Sequence, residues 1–223
     1  MKKNKKILII VAHRDDETIG CGGTIYKHNL LGDKVYCLSF TDGISARDRK
    51  NKKILQKRVQ NSINASKILN FKWVENNVLF EDNKLDSYPL LDLIKIIEKI
   101  KIRINPDIVY THFNDDLNVD HKAVSMATIT AFRPLKGENC KEILFFEVPS
   151  STDYSPKQFV PNYYVDIAKF WKIKKKALLA YGNEIKNQKT SRDLNSLKSL
   201  YQFRGSTVGL NMCESFFIFR KKS

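Results

Sequence analysis

An apolar run of strand length ends abruptly in a cluster of ionisable side chains near the start of the chain. Residues 7–12 are all apolar, and residues 13–17, His-Arg-Asp-Asp-Glu, follow without a spacer. Burying several ionisable groups together is costly, so the cluster marks the point where a buried strand leaves the core. The apolar run is too short to cross a bilayer, and no signal-peptide pattern surrounds it. We therefore expect a protein without a membrane span.

Strand-length apolar runs alternate with segments of helical period along the whole chain. The predicted strands are residues 7–12, 34–40, 72–79, 107–111, 143–148 and 215–219. The predicted helices are residues 18–31, 51–69, 89–104, 121–132, 167–181 and 191–203, and residues 149–163, with three prolines, are predicted to be a loop. This alternation predicts one α/β domain over residues 1–223, with a Rossmann-like, mostly parallel β-sheet and helices on both faces.

The chain is strongly basic and has few cysteines. Its net charge is +15, which suits an anionic partner such as nucleic acid, an anionic membrane or an anionic small substrate, but lysines spread over solvated faces would need no partner at all. The four cysteines are Cys21, Cys37, Cys140 and Cys213, and no two of them form a CxxC pair. Their spacing therefore indicates neither a thiolate zinc site nor a dithiol redox site. We expect the reducing environment of the cytoplasm.

Three of the four histidines lie in or at the end of the segments that follow two predicted strands. His13 follows the first strand, and His112 and His121 lie in an acidic segment after the strand at residues 107–111. In an open α/β sheet, ligands bind beyond the carboxyl ends of the strands. Imidazole and carboxylate groups bind zinc and iron, and a catalytic zinc site has three protein ligands. We therefore predict a metal site formed by His13, Asp16 and His121.

The first cluster resembles the signature of a known family. Residues 12–17, Ala-His-Arg-Asp-Asp-Glu, followed by Gly20, Gly22 and Gly23, are similar to the AHPDDE-x2-G-x-G-G motif of the PIG-L/LmbE-like N-deacetylases. Residues 119–121, Val-Asp-His, resemble the second motif of that family, which usually reads HPDH. The resemblance extends into the carboxyl-terminal part of the chain.

The resemblance implies a zinc-dependent hydrolase that removes an acetyl group from an N-acetylated amino sugar, with iron(II) as the alternative metal. By the family pattern, His13, Asp16 and His121 hold the metal, and Asp15 is the general base toward the attacking water. Zinc lowers the pKa of its water to about 7 and polarises the amide carbonyl. Asp120 is placed with the catalytic residues because it neighbours a metal ligand and can orient it. It is also predicted to cap the helix that follows.

Two residues depart from the family pattern. Arg14 stands where the family usually has proline, which should change the stiffness of the turn. Asn118 stands where the family usually has the histidine that stabilises the tetrahedral oxyanion. An amide donates a neutral hydrogen bond, so Asn118 is the predicted oxyanion donor and His112 is the alternative. Residues 116–121 and the later pair at 133–134 are similar to a branch associated with surface glycan and sugar-nucleotide pathways.

That branch implies a sugar nucleotide or a glycan precursor in surface polysaccharide biosynthesis as the substrate. Arg47 and Arg58 follow the second strand and are the predicted phosphate-binding residues, because a guanidinium group suits phosphate oxygens. His112 and Glu147, which lie at the ends of two other strands, are also predicted to contact the substrate. His28, within the first helix, is interpreted as an ordinary surface residue.

Three other interpretations bear on the same features. A non-catalytic, metal-binding relative of the deacetylases is an alternative because of Asn118. A basic nucleic-acid-binding protein is another, because residues 170–176 combine aromatic and lysine side chains. No nucleic-acid-binding motif accompanies them, so the expected partner is a small molecule and not a nucleic acid. A dinucleotide site is disfavoured because five polar residues separate the first strand from the glycine-containing segment.

Overall fold

A computed structural model describes residues 4–41, 43, 52–76, 78–182, 185 and 190–222. The strands in these ranges are β1 (Lys6–Val11), β2 (Lys34–Ser39), β3 (Lys72–Trp73), β4 (Ile108–His112), β5 (Glu142–Phe146), β6 (Tyr163–Asp166) and β7 (Cys213–Lys221). The α-helices are α1 (Asp16–Leu30), α2 (Lys52–Leu69), α3 (Leu90–Ile104), α4 (Val119–Ala131), α5 (Trp171–Ala180) and α6 (Leu194–Ser206). None of the helices in the described ranges is long and apolar enough to span a membrane.

The strands form one sheet in the order β3-β2-β1-β4-β5-β7-β6. The five strands from β3 to β5 are parallel, and β7 runs antiparallel to both β5 and β6. The predicted α/β fold with a mostly parallel sheet is therefore confirmed. Strand β1 lies between β2 and β4. The connection from β1 to β2 and the connection from β4 to β5 therefore run toward opposite sides of the sheet. The loops after β1 and β4 border a crevice, where such sheets bind ligands.

The sheet is covered on both faces, and β1 shows how the sequence divides between them. Ile7, Ile9 and Val11 belong to a buried cluster with residues of α1, α2, α5 and α6. Leu8 and Ile10 belong to a second cluster with residues of α3 and α4. Side chains alternate between faces along a strand, so a strand that is covered on both sides must be apolar throughout. The run before His13 is apolar at every position because helices cover both faces of β1.

Helix α1 packs very closely against its neighbours, and two of its glycines permit this. A Cβ atom at Gly20 would lie 2.3 Å from a ring carbon of Phe146, and one at Gly23 would lie 2.5 Å from Ile167. The backbone N–H of Gly23 also donates to the buried carboxylate of Glu214, at 2.7 Å. The glycines therefore serve close packing of the helix, which holds its first turn at the edge of the crevice.

Two predicted segments differ from the structure. The third strand ends at Trp73 and does not reach residue 79, because β3 has only one neighbour in the sheet and polar residues 75–76 interrupt the apolar run. Residues 163–166 form β6, although the predicted loop included their start and no strand was expected there. This short edge strand pairs with β7, about 50 residues later in the chain, and so lacks a local signal.

Candidate metal centre

The loops after β1 and β4 bring the three predicted metal ligands together. His13 lies just after β1, Asp16 begins α1, and His121 lies in the first turn of α4. His13 Nδ1 lies 3.2 Å from Asp16 Oδ2, and His121 Nε2 lies 3.3 Å from the former atom and 3.4 Å from the latter. The three atoms form a nearly equilateral triangle, and all three side chains are buried. These residues therefore form a candidate metal site.

The second ring nitrogen of each histidine faces a carboxylate. His13 Nε2 lies 2.9 Å from Asp82 Oδ1 and 3.1 Å from Asp120 Oδ2. His121 Nδ1 lies 3.2 Å from Asp116 Oδ1. A carboxylate keeps a proton on the nitrogen that faces it, which leaves the other nitrogen with a lone pair. Both inner nitrogens are thus prepared to bind an ion, as in carboxylate–histidine–zinc sites.

The pKa values of these groups reflect a surplus of carboxylates around two imidazoles. Burial lowers the pKa of His13, but hydrogen bonds to Asp120, Asp16 and Asp82 outweigh it and raise the pKa well above its usual value. Burial also lowers the pKa of His121, but the charges and hydrogen bonds of Asp16 and Asp116 together outweigh it and raise the pKa above its usual value. Burial acts to raise the pKa of Asp16, yet the two histidines hold it well below its usual range. A divalent cation would balance the same negative charge in place of these protons.

Asp15, the predicted general base, is buried beside two arginines. Its Oδ1 lies 3.5 Å from Arg58 Nη2, and its Oδ2 lies 3.8 Å from Arg192 Nη1. Arg192 also donates a hydrogen bond to Asp16 Oδ1 at 3.2 Å, so one guanidinium group joins the two carboxylates. Asp15 has a φ of 154°, which is costly for a residue with a Cβ atom and is typical of functional sites. Glu17 holds this backbone by accepting the Asp15 N–H at 3.0 Å.

Glu17 is fully buried and shapes the turn. Its Oε1 accepts hydrogen bonds from the Thr18 hydroxyl at 2.6 Å and from the Tyr181 hydroxyl at 2.5 Å. Burial raises the pKa of Glu17 to about 7, although these hydrogen bonds act against the increase. With both oxygens engaged, the side chain connects the start of α1 to the end of α5.

The cap of α4 is Asn118, and the prediction that Asp120 caps this helix is wrong. Asn118 Oδ1 accepts hydrogen bonds from the backbone N–H groups of Asp120, at 2.8 Å, and of His121, at 3.4 Å. The Asp120 carboxylate is engaged elsewhere, because it contacts His13 and accepts the backbone N–H of Leu85 at 2.9 Å. The cap thereby fixes the turn that carries His121, one of the candidate metal ligands.

His112, predicted to contact the substrate, lies behind the candidate metal ligands. It is fully buried, and its Nε2 accepts the backbone N–H of Ala12 at 2.9 Å. Its ring stacks on His121, with 3.9 Å between the centroids and 7° between the planes. Burial and the positive charge of His121 lower the pKa of His112 well below its usual value, which makes it a neutral packing partner.

The other predicted substrate contacts have different outcomes. Arg58 reaches the site, but as a partner of Asp15. Glu147 forms a two-point ion pair with Arg204, at 2.9 and 2.7 Å, and also accepts the Ser215 hydroxyl at 2.8 Å. These contacts give it a structural role between β5, α6 and β7. Arg47 lies outside the described residues.

Arg14, which replaces the usual proline, connects the turn to neighbouring elements. Its guanidinium group lies 4.8 Å from the centre of the Trp73 ring and donates to the Ser62 hydroxyl at 3.1 Å. A cation over an aromatic face is stabilising. Where the family pattern has a stiff proline, this chain therefore has a side chain that anchors the same turn to α2 and β3.

Sequence reasoning missed several residues that surround the candidate metal ligands. Asp82 and Arg192 reach the site from distant segments, and neither lies in a recognisable motif. Asp116 was visible, two residues before the cap, and the sequence suggested no partner for it. In the structure it faces His121, and hydrogen bonds with His121, Ser151 and Thr152 lower its pKa to about 2 against the opposing effect of burial.

Comparison with known proteins identifies relatives of the chain. Residues 8–132 match the family model of PIG-L, described as GlcNAc-PI de-N-acetylase. The chain is also 32% identical, over 164 residues, to the uncharacterized deacetylase YaiS of Escherichia coli K12, and the match covers 70% of this chain and 82% of the relative.

Solved structures share the fold over nearly the whole chain. The conserved protein TT1542 of Thermus thermophilus has a TM-score of 0.77 at 21% identity, with 98% of this chain and 96% of that one covered. The N,N'-diacetylchitobiose deacetylase of Pyrococcus horikoshii has a TM-score of 0.78 at 23% identity, with 98% and 85% covered. GalB, the 4-carboxy-2-hydroxymuconate hydratase of Pseudomonas putida KT2440, has a TM-score of 0.76 at 19% identity, with 98% of both chains covered.

These findings agree with the geometry of the crevice. The family model spans the segment that contains His13 and His121, and the relative YaiS is named as a deacetylase. The hydratase shows that the fold alone supports more than one reaction. The family model and the curated relative together show that the chain belongs to the PIG-L family of deacetylases.

Proposed function

We propose that this protein is a metal-dependent N-deacetylase that hydrolyses the acetamide group of an N-acetylated amino sugar. The observation that carries the proposal is the triangle of ligand atoms from His13, Asp16 and His121, with the Asp15 carboxylate beside it. Hydrolysis of an amide by water needs a group that polarises the carbonyl and a group that accepts a proton from the water. A metal in the triangle and Asp15 would supply these two functions.

The triangle has the size that zinc requires. Zinc bonds to nitrogen and oxygen are about 2.0–2.2 Å long, so tetrahedral ligands lie roughly 3.3–3.6 Å apart. Two of the observed separations, 3.3 and 3.4 Å, fall within this range, and the third, 3.2 Å, lies just below it. His13 Nε2, Asp82 and Asp120 also lie close enough to hold an ion, but that set has one nitrogen and suits zinc less well. Iron(II) accepts the same ligand types and is the alternative metal. When bound, the ion would lower the pKa of a water molecule and polarise the amide carbonyl.

Asp15 is the proposed general base. It would accept a proton from the attacking water and later donate it to the amine nitrogen as the carbon–nitrogen bond breaks. Arg58 and Arg192 hold its carboxylate from two sides, and Glu17 holds its backbone. Groups fixed in this way need little reorganisation during the reaction.

Asn118 is the proposed hydrogen-bond donor to the oxyanion. Its Oδ1 is committed to the N-terminus of α4, so the amide N–H groups are the remaining polar part of the side chain. His112 is less suited, because it is fully buried against His121. The neutral Asn118 would stabilise the developing negative charge without transferring a proton.

We propose that the substrate carries a negative charge, as a sugar nucleotide or another precursor of surface polysaccharide does. The net charge of +15 supports an anionic substrate. The four cysteines, which are free and buried, suit the cytoplasm, where such precursors would be used.

The test is acetate release from N-acetylglucosamine and from UDP-N-acetylglucosamine. The protein is stripped of metal with a chelator, reconstituted with zinc or iron(II), and assayed with each sugar. We expect acetate only after reconstitution, with a higher kcat/KM for the nucleotide-linked sugar.

Two aspartate variants serve as a matched pair. Asp15→Asn should retain the metal and lose turnover, whereas Asp92→Asn, on the exposed surface of α3, should behave as the unmodified protein. If the metal-loaded protein releases no acetate from either sugar, the proposed substrate class is wrong. If Asp15→Asn retains full turnover, the base is another residue.

A further inference from the structure

A cavity lies at the edge of the sheet opposite the candidate metal centre. Its volume is about 260 Å³, and its lining includes Thr24, Lys27 and His28 from α1, Tyr110 from β4, and Tyr163 from β6. The cavity therefore lies beside the later turns of α1, whereas Asp16 at the start of that helix belongs to the metal centre. We infer that this cavity binds a small hydroxylated anion.

A chain of three side chains forms one polar wall of the cavity. His28 Nδ1 lies 2.8 Å from Asp33 Oδ2, and His28 Nε2 lies 3.0 Å from the Tyr110 hydroxyl. The carboxylate can only accept, so Nδ1 carries the proton and Nε2 accepts the hydrogen of the Tyr110 hydroxyl. Burial lowers the pKa of His28 and raises that of Tyr110, which keeps both groups neutral. The oxygen of Tyr110 is then an acceptor for a hydroxyl group of a ligand.

Thr24 supplies a second polar group. Its side chain lines the cavity, it is 2% exposed, and its Oγ1 has no hydrogen-bond partner within the described ranges. Threonines of α4 behave differently, because Thr128 and Thr130 donate to the carbonyls of Val124 and Met126, at 2.7 and 2.8 Å. A buried hydroxyl without a partner is costly, and a ligand in the cavity would satisfy it.

The charged groups of the lining favour an anion. Lys5, Lys27 and Lys221 line the cavity, and the carboxylates there are Asp33 and Glu142. Asp33 is engaged by His28, and Glu142 lies 3.7 Å from the Lys221 ammonium. In the part of the chain that the structure describes, no carboxylate lies within ion-pair distance of the other two ammonium groups. They are therefore placed to bind a phosphate or a carboxylate.

The size and the apolar walls complete the description of the ligand. A volume of about 260 Å³ equals the space of roughly nine water molecules, which suits a molecule of monosaccharide size. Leu31, Ile108 and Val165 provide apolar surface for the C–H groups of such a molecule. Sugar phosphates and sugar acids share this chemistry of several hydroxyl groups and one anionic group.

The experiment is calorimetric titration of the full chain with glucose 6-phosphate, gluconate and inorganic phosphate. We expect one of the two hydroxylated anions to bind, and inorganic phosphate to bind at least tenfold more weakly. Binding of glucose 6-phosphate over gluconate would identify the anionic group as a phosphate, and the reverse would identify a carboxylate. No binding of either, or equal binding of inorganic phosphate, would overturn the inference.

Variants locate the binding in the cavity. Thr24→Val and Tyr110→Phe should each weaken binding about tenfold, and Thr24→Ser, which keeps a hydroxyl, should restore it and exclude a general folding defect. Lys27→Met should weaken binding, whereas Lys34→Met, an exposed lysine outside the lining, should not. His121→Ala should leave binding unchanged. If His121→Ala loses binding while Thr24→Val binds as tightly as the unmodified protein, the ligand binds at the metal centre and the inference is overturned.

Discussion

Histidine and carboxylate side chains meet near both ends of α1, yet only one end forms a candidate metal site. At the start of the helix, ring nitrogens of His13 and His121 face Asp16 at 3.2 and 3.4 Å. Near its end, His28 has Asp33 at one nitrogen and Tyr110 at the other. Within the described residues, no group of three ligands includes His28.

The difference teaches that closeness of histidine and carboxylate is not sufficient for a metal site. At the candidate metal centre, the acidic partners engage the outer nitrogens of both histidines, so the inner nitrogens face one another and Asp16 and are the atoms placed to bind an ion. At the other end, both nitrogens of His28 are already used in hydrogen bonds. The first arrangement can bind an ion, and the second can only fix the wall of a cavity.

The largest expected effect is that metal binding depends on the histidine at the start of α4 and not on the histidine near the end of α1. His121→Ala should reduce the bound metal from about one ion per chain to none, because two remaining ligands hold an ion poorly. His28→Ala should retain the metal in full. Metal analysis of the purified variants after zinc reconstitution measures both results, and equal loss in the two variants would contradict the comparison.

The next effect separates the cap of α4 from the chemistry proposed for it. Asn118→Asp keeps a good capping residue but removes the donor amide, so stability should be unchanged while kcat falls about 10²–10³-fold. Asn118→Ala should lose both the helix cap and the donor amide, so kcat should fall and the free energy of unfolding should decrease by about 1 kcal/mol. Kinetics and denaturant unfolding of the two variants test this, and an unchanged kcat in both would remove the oxyanion role.

A smaller effect tests the carboxylates behind the histidines. Asp116→Asn should weaken metal binding about 10–100-fold, because the amide no longer fixes the tautomer of His121. Asp153→Asn, an exposed residue of the nearby loop, is the matched control and should not change the affinity. Competition with a chelator measures the affinity, and identical affinities would show that Asp116 does not support the ligand.

The smallest effect concerns stability at the other end of α1. His28→Gln should lower the free energy of unfolding by about 1–3 kcal/mol, because it disrupts the buried hydrogen bonds to Asp33 and Tyr110. The affinity for metal should stay the same. Denaturant unfolding of the metal-free protein checks the first statement, and the chelator assay checks the second. A change in metal affinity would mean that the two ends of α1 are coupled.

The sequence was most informative where the structure depends on neighbouring residues. The predicted strands and helices around the crevice were correct within a few residues, except at the edge strands β3 and β6. An edge strand has a single partner, and for β6 that partner is about 50 residues away in the chain. The interpretation of His28 as an ordinary surface residue was wrong, because its contact with Tyr110 arises only when α1 packs beside β4.

By itself, the sequence determined the apolar strand before His13, the spacing of His13 and Asp16 within one turn, and the family to which the chain belongs. These features depend on alternation along a strand and on contacts over a few residues. Only the tertiary structure decided that Asp82 and Asp120 face His13, that Arg192 joins Asp15 to Asp16, and that a cavity lies at the opposite edge. Those contacts join segments far apart in the chain, and the pairing of β1 with β2 and β4 sets where the segments meet.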